Sequence, residues 1–164
     1  IGHAALHGLL AGLLGMLWNL SGISGPFIEG SDMGLSFHIL GVIASALVAV
    51  TCLFLGGILF WLTALACGGE GTFEAAIRAV SAIMILYPLN SALGFANGFS
   101  FYAGLTVSLG VAILGLRLFY LALILHMSAE RPKAMVACVI LGLIPVFMLL
   151  SGISYYNLSH NYQP

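Results

Sequence analysis

The sequence has 164 residues, of which 62% are hydrophobic and only 5% are charged. A soluble domain is about half apolar and about a quarter charged, so this composition indicates a protein that lies in the lipid bilayer. The net charge of −1 provides neither a basic surface for nucleic acid nor a polybasic segment. Three cysteines without CxxC spacing indicate neither a disulfide framework nor a thiolate metal site.

Five apolar stretches are long enough to cross a membrane as helices, since a hydrocarbon core of about 30 Å needs about 20 helical residues. Gly-rich, polar or Pro-bearing breaks separate them. We therefore predict an all-α fold, a polytopic transmembrane bundle of five helices that forms a single membrane domain over residues 1–164. The predicted spans are residues 2–20, 35–66, 72–95, 101–126 and 134–153.

The first predicted span has no charged segment before its apolar run and no clear cleavage signal before Trp18. We expect it to be a span of the mature protein rather than a signal peptide. Because the sequence begins at Ile1 rather than at a methionine, we also expect a leader, a pro-segment or an N-terminal tail to precede it.

Small residues at helical spacing mark a contact between the first two spans. They are Gly8, Gly12 and Gly15 on the first span and Ser45 and Ala49 on the second. Helices in lipid associate where small side chains let their backbones approach, so we expect packing here within the chain rather than between copies.

The second stretch is longer than a perpendicular crossing needs. It is therefore tilted, begins as a helix on the membrane surface, or bends at Gly56-Gly57.

The basic residues predict the orientation of the chain. If the spans alternate in direction, the N-terminus, the second break and the fourth break share one side of the membrane. Arg78, Arg117, Arg131 and Lys133 all lie in or near those breaks. The positive-inside rule then places the N-terminus in the cytoplasm and the C-terminus outside.

The third span begins with signals typical of a helix start. Thr72, next to Gly71, can cap the helix, and Glu74 and Arg78 have the i,i+4 spacing of an ion pair. We expect a tight Gly-rich turn followed by a capped helix.

Arg117 is the charged residue predicted to lie deepest in the bilayer, about 13 Å from His126 along the helix. Its guanidinium can reach toward the membrane surface, bond exposed backbone carbonyls, or pair with Glu74 or Glu70. A functional and a structural role both remain open for it.

Two histidines, His3 and His7, have the i,i+4 spacing of a two-histidine metal site, and His126 ends the fourth span on the same predicted side. No carboxylate spacing supports a metal, and histidines at helix ends also occur at membrane interfaces. We expect no metal and no cofactor, and these three residues are the candidates if a metal binds.

The sequence contains no GxSxG or HExxH motif, and its acids lie in loops or at helix ends. We therefore expect a protein that is not an enzyme.

Two segments carry a family resemblance, ALACGGEGTFEAAIRAV at 64–80 and GLRLFYLALILHMSAERPKAMVACVILGLIP at 115–145. They resemble the Yip1-domain family, in which a GG-x-G-[ST]-F turn precedes the third span, an Arg follows several residues later, and an H-x-[ST]-x-x-[RK]-A turn precedes the fifth. The first pattern matches at Gly68, Gly69, Gly71, Thr72, Phe73 and Arg78. The second matches at His126, Ser128, Lys133 and Ala134, with one residue too many between Ser128 and Lys133.

The resemblance implies five spans and a cytoplasmic N-terminus. Eukaryotic members act in vesicle trafficking and bind prenylated small GTPases through a cytoplasmic N-terminal region, and bacterial members have no agreed biochemical function. The sequence departs from the family at Glu70, where a basic residue is usual, and at Tyr87-Pro88, which come later than in many bacterial members.

Together these observations predict a non-enzymatic, Yip1-like integral membrane protein that acts through helix packing and protein partners. Its partners would be membrane lipid and a protein or larger membrane assembly, and we expect it in the inner (plasma) membrane of a bacterium. Two alternatives remain, an accessory subunit of a respiratory or transport complex and a transporter of a small molecule or metal. The interaction candidates are Gly68, Gly69, Gly71, Thr72, Phe73, Arg78, Arg117, His126 and Lys133.

Overall fold

The computed structural model describes residues 1–21 and 35–161, and within these ranges the secondary structure is entirely helical. Five segments of the described chain are long and apolar enough to cross a membrane, which confirms the predicted all-α fold with five spans. Most of the first predicted break, 21–34, lies outside the described residues. The helices are α1 Gly2–Leu20, α2 Leu35–Ala66, α3 Phe73–Ile83, α4 Leu86–Ala92, α5 Phe101–Met127 and α6 Arg131–Asn161, with a 3₁₀ helix Leu93–Gly98 between α4 and α5.

Helices α1 and α2 pack antiparallel through the predicted small residues. A Cβ added to Gly8 would lie 2.7 Å from the Cβ of Ala49, and one added to Gly12 would overlap Ser45. The Ser45 hydroxyl donates a hydrogen bond of 2.8 Å to the Gly8 carbonyl. The predicted contact within the chain is therefore confirmed, except that Gly15 has open space beside it.

Helix α2 continues without interruption through Gly56 and Gly57. These glycines form the surface on which α3 packs, because a Cβ on Gly56 would lie 3.3 Å from the Val80 side chain and one on Gly57 would overlap Ile77. The Gly-Gly pair thus allows two helices to approach closely, which is a common use of small residues between membrane helices.

The third span, predicted as one helix over 72–95, is instead divided into α3, α4 and the 3₁₀ helix. Pro88 has no N–H to donate to the Met84 carbonyl, and its ring crowds that carbonyl. The Tyr87 N–H donates to Met84 instead, at 3.0 Å, which is a tighter three-residue bond. The segment Phe73–Gly98 as a whole remains apolar and long enough to span a membrane.

At the end of the bundle near Trp18, α1 is joined to α4. The indole N–H of Trp18 donates to the Ser91 carbonyl at 2.7 Å, and its ring lies 6.0 Å from that of Phe95. This bond connects the first span to the divided third span.

The main buried cluster lies at the other end of the bundle, where α2, α3, α5 and α6 meet. It is built largely from small and apolar side chains, and no polar or charged residue of the described ranges is buried. Most large apolar side chains elsewhere face outward, as expected for helices in lipid. The cluster consists of Phe60, Ala64, Cys67, Ala76, Ala79, Ala122, Leu123, Met127, Ala129 and Ala134.

Candidate functional site: two joined turns

The turn between α2 and α3 contains the predicted glycines, and Gly68 adopts a left-handed conformation with φ of +78°. The Gly69 N–H donates to the Ala64 carbonyl at 2.8 Å, which helps to satisfy the last turn of α2. The Thr72 hydroxyl accepts a bond of 3.2 Å from the Ala75 N–H and caps α3. The predicted tight turn and capped helix are confirmed.

The turn between α5 and α6 closes in a similar way. Ser128 is left-handed with φ of 52°, and the Ala129 N–H reaches back to the Leu123 carbonyl at 3.0 Å. The Ser128 N–H donates to the same Leu123 carbonyl, so two N–H groups beyond the helix satisfy its last turn. Helix α6 then begins at Arg131, three residues before the predicted start at 134.

The two turns lie side by side and are linked by two backbone hydrogen bonds. The Glu70 N–H donates to the Met127 carbonyl at 3.1 Å, and the Glu130 N–H donates to the Cys67 carbonyl at 3.0 Å. The two segments therefore run antiparallel. We call residues 67–72 and 127–130 the joined turns.

Each glycine of the GGxG sequence has its own structural reason. Gly68 supplies the left-handed backbone, which costs an L-residue about 1–2 kcal/mol. Gly69 lies against backbone on two sides, because an added Cβ would be 2.6 Å from the Met127 oxygen and 2.9 Å from that of Ala64. Gly71 leaves room for the Met127 side chain, which an added Cβ would overlap.

Aromatic side chains of α2, α3 and α5 pack next to the joined turns. The indole N–H of Trp61 donates to the Gly71 carbonyl at 3.1 Å, and the Phe73 ring lies 6.1 Å from that indole in an edge-to-face arrangement. Phe60 packs edge-to-face on Phe119 with 4.9 Å between ring centroids, which ties α2 to α5. The predicted residue Phe73 is thus part of the support of the turn.

Cys67 lies within the joined turns and is 4% exposed. Burial raises the pKa of its thiol, the Glu130 carboxylate raises it further, and the Lys133 ammonium acts against both. A raised pKa leaves less thiolate at neutral pH, so Cys67 acts here as a small buried apolar residue.

The outer surface beside the joined turns carries two ion pairs. Arg78 and Glu74 are 2.5 Å apart, and Lys133 and Glu130 are 2.9 Å apart. All four side chains are more than half exposed, and pairs of this kind contribute at most about 1 kcal/mol to stability. Either ion pair can therefore be broken, and its charges paired with those of a protein partner, with little loss of stability.

The three predicted histidines lie in two neighbouring grooves beside α3. His126 lines a groove of about 390 Å³ together with Glu74 and Arg78. His3 and His7 line another, of about 580 Å³, and Arg78 borders both grooves. Among the described side chains, no group of three or more metal-ligating residues is placed to hold a metal ion, so the three histidines do not form a common site.

Arg117 lies apart from the joined turns, on the exposed side of α5 and about 15 Å along the helix from Met127. It forms no ion pair or hydrogen bond with a residue in the described ranges, and Glu74 is paired with Arg78 instead. The suggested pairing with Glu74 or Glu70 is therefore not present.

No family model matches this sequence, and neither curated proteins nor solved structures give a match. The Yip1 resemblance therefore stays a prediction. Its two motif segments are nevertheless the ones that meet in space, since each contains one of the joined turns.

Proposed function

We propose that this chain is a non-enzymatic, Yip1-like integral membrane protein that binds a protein partner through the joined turns. One observation carries the proposal. The two backbone bonds, from the Glu130 N–H to the Cys67 carbonyl and from the Glu70 N–H to the Met127 carbonyl, combine the two motif segments into one exposed surface.

The form of this surface supports a role in binding. Both turns are held by helix caps, by backbone bonds and by a buried apolar cluster, so little conformational entropy is lost when a partner binds. The charges of Glu70, Glu130 and Lys133 lie on its outer side and are exposed. A rigid surface that presents charge is suited to a specific protein contact.

The proposed orientation follows from the basic residues. His3 near the start of α1 borders the same groove as Arg78, which lies midway along α3, so α1 starts toward the end of the bundle that carries the joined turns. Arg131 and Lys133 begin α6 at this same end. By the positive-inside rule we assign this end to the cytoplasm, and we assign the chain to a bacterial inner membrane.

The test is purification in mild detergent with quantitative mass spectrometry of the associated proteins. The double variant Glu130→Gln with Lys133→Gln removes two exposed charges and leaves the backbone bonds in place. We expect at least one partner to be recovered about 10-fold less with this variant, a loss equal to about 1.4 kcal/mol of binding free energy. The control Asn90→Ala, at an exposed position in α4, should recover that partner normally.

Equal recovery of every associated protein with the wild-type chain, the double variant and the Asn90→Ala control would contradict the proposal. If the chain instead purifies with a large respiratory or transport complex that the charge variant does not affect, the alternative of an accessory subunit is supported.

A further inference from the structure

Arg117 is a charged residue near the middle of a membrane-spanning helix. Along α5 it lies about 15 Å from Met127 and about 24 Å from Phe101. With α5 centred in a hydrocarbon core of about 30 Å, Arg117 lies about 5 Å from the middle of that core. Arginine keeps its charge in an apolar environment, so this position costs free energy unless another group compensates the charge.

The described part of the chain does not supply that compensation. Arg117 is exposed and forms no ion pair or hydrogen bond with a described residue. The residues just before it lie on the inner side of α5. Gly115 lies near Leu86 of α4. Leu116 lies near Gly142 of α6. The Arg117 side chain therefore faces outward, toward the surrounding membrane.

A second copy of the chain offers no acid at this depth. Glu70 and Glu130 belong to the joined turns, and Glu74 lies in the first turn of α3. The remaining acids of the sequence, Glu29 and Asp32, lie in the first predicted break, outside the described residues. Whichever way a second copy is oriented, its acids lie in breaks or at helix ends. A carboxylate at the middle of the membrane must therefore come from a different protein.

The side of α5 that carries Arg117 is also suited to helix packing. Thr106, Gly110 and Ile113 recur at helical spacing on this side, and all three are exposed. A Cβ added to Gly110 would meet no atom within 4 Å, so no described residue fills the space beside it. Small residues four apart, such as Thr106 and Gly110, let another helix approach closely in lipid. A helix that packs here also passes Arg117, one turn beyond Ile113.

We propose that this side of α5 binds a membrane-spanning helix of a different protein, and that this helix carries an Asp or Glu at the depth of Arg117. A carboxylate neutralises the guanidinium and can accept two parallel N–H bonds from it. Charged residues within spans typically pair with one another in this way. Phospholipid headgroups are a poorer match, because arginines reach them from near helix ends, whereas Arg117 lies about 10 Å from the nearer edge of the hydrocarbon core.

The experiment is photo-crosslinking in native membranes, with p-benzoylphenylalanine placed at Ile113, which is 59% exposed, or at Leu121, one turn beyond Arg117. Mass spectrometry identifies the cross-linked peptides. We expect a cross-link to a spanning segment of another protein that contains an Asp or Glu. Arg117→Leu should lower its yield about 10-fold. Arg117→Lys, which keeps the charge but not the planar fork, should lower it less.

Two controls accompany this measurement. The same probe at Val139 on α6, which is 62% exposed, should give cross-links that Arg117→Leu leaves unchanged. Arg117→Asp should abolish the cross-link from Ile113, and replacing the acid of the partner helix with Arg should restore it. Because Arg117 is exposed and bonds to no described residue, its variants should keep the fold of the chain.

Three results would each overturn the proposal. The first is cross-linking only to phospholipid or only to a second copy of the chain. The second is a cross-linked segment without an acid, and the third is a yield that Arg117→Leu does not change. The substitutions leave the joined turns intact, so failure here is distinguishable from failure of the partner contact proposed above.

Discussion

Replacing Gly69 with alanine is expected to destabilise the protein by about 3 kcal/mol. The new Cβ would lie 2.6 Å from the Met127 oxygen and 2.9 Å from the Ala64 oxygen, and both are backbone atoms that side-chain rotation cannot move. Relief would require separating the two turns, with loss of the bond from the Glu70 N–H to the Met127 carbonyl. Titration with sodium dodecyl sulfate in mixed micelles, followed by circular dichroism, measures the free energy of unfolding.

Two other glycines provide the controls. Gly68→Ala should cost about 1 kcal/mol, because it strains the left-handed backbone while the nearest crowding atom belongs to the flexible Glu130 side chain. Gly41→Ala, with open space beside it, should be neutral or slightly stabilising, since alanine favours a helix. If Gly69→Ala unfolds at the same detergent concentration as Gly41→Ala, the joined turns are not packed as described.

Replacing Gly8 with alanine is expected to separate α1 from α2 and to destabilise the protein by about 2–3 kcal/mol. The added Cβ would lie 2.6 Å from the Ser45 carbonyl oxygen and 2.7 Å from the Cα of Ala46, so the two helices would have to move apart. The hydrogen bond from the Ser45 hydroxyl to the Gly8 carbonyl would be lost as well. The same detergent titration gives the change in unfolding free energy.

Gly15→Ala is a closely matched control. Gly15 lies two turns farther along the same face of α1 and has no atom within 4 Å of an added Cβ. The substitution should therefore stabilise the protein by up to about 1 kcal/mol, because alanine has a higher helix propensity than glycine. This effect is opposite in sign to that of Gly8→Ala. Equal effects at the two positions would mean that α1 does not approach α2 through Gly8.

The spans were predictable because membrane helices need long apolar segments, and length is read directly from the sequence. The predicted ranges 2–20 and 35–66 agree with α1 and α2. The division of the third span was not predicted, although Pro88 was visible. An apolar segment can continue past a proline in several ways, and only the geometry at Met84 and Tyr87 shows which one is used.

The glycines of the joined turns were predictable as a turn, but their contacts were not. Met127 and Trp61 are central to the arrangement, yet each is one apolar residue within an apolar run and gives no local signal. The position of Arg117 has a similar explanation. Helix α5 is apolar on all sides, so its sequence does not reveal which face packs inward, and the exposed position of Arg117 is visible only in the structure.

We propose that both turns lie together on the cytoplasmic side of the membrane. Single cysteines at Glu70, Glu130 and Phe99, in a chain whose native cysteines are replaced by alanine, can be labelled with a maleimide that does not cross membranes. All three positions are exposed, and Phe99 lies at the opposite end of the bundle. We expect Phe99→Cys to react in intact cells, and Glu70→Cys and Glu130→Cys to react only in inverted membrane vesicles. Labelling of the two glutamate positions from opposite sides, or of both in intact cells, would contradict the claim.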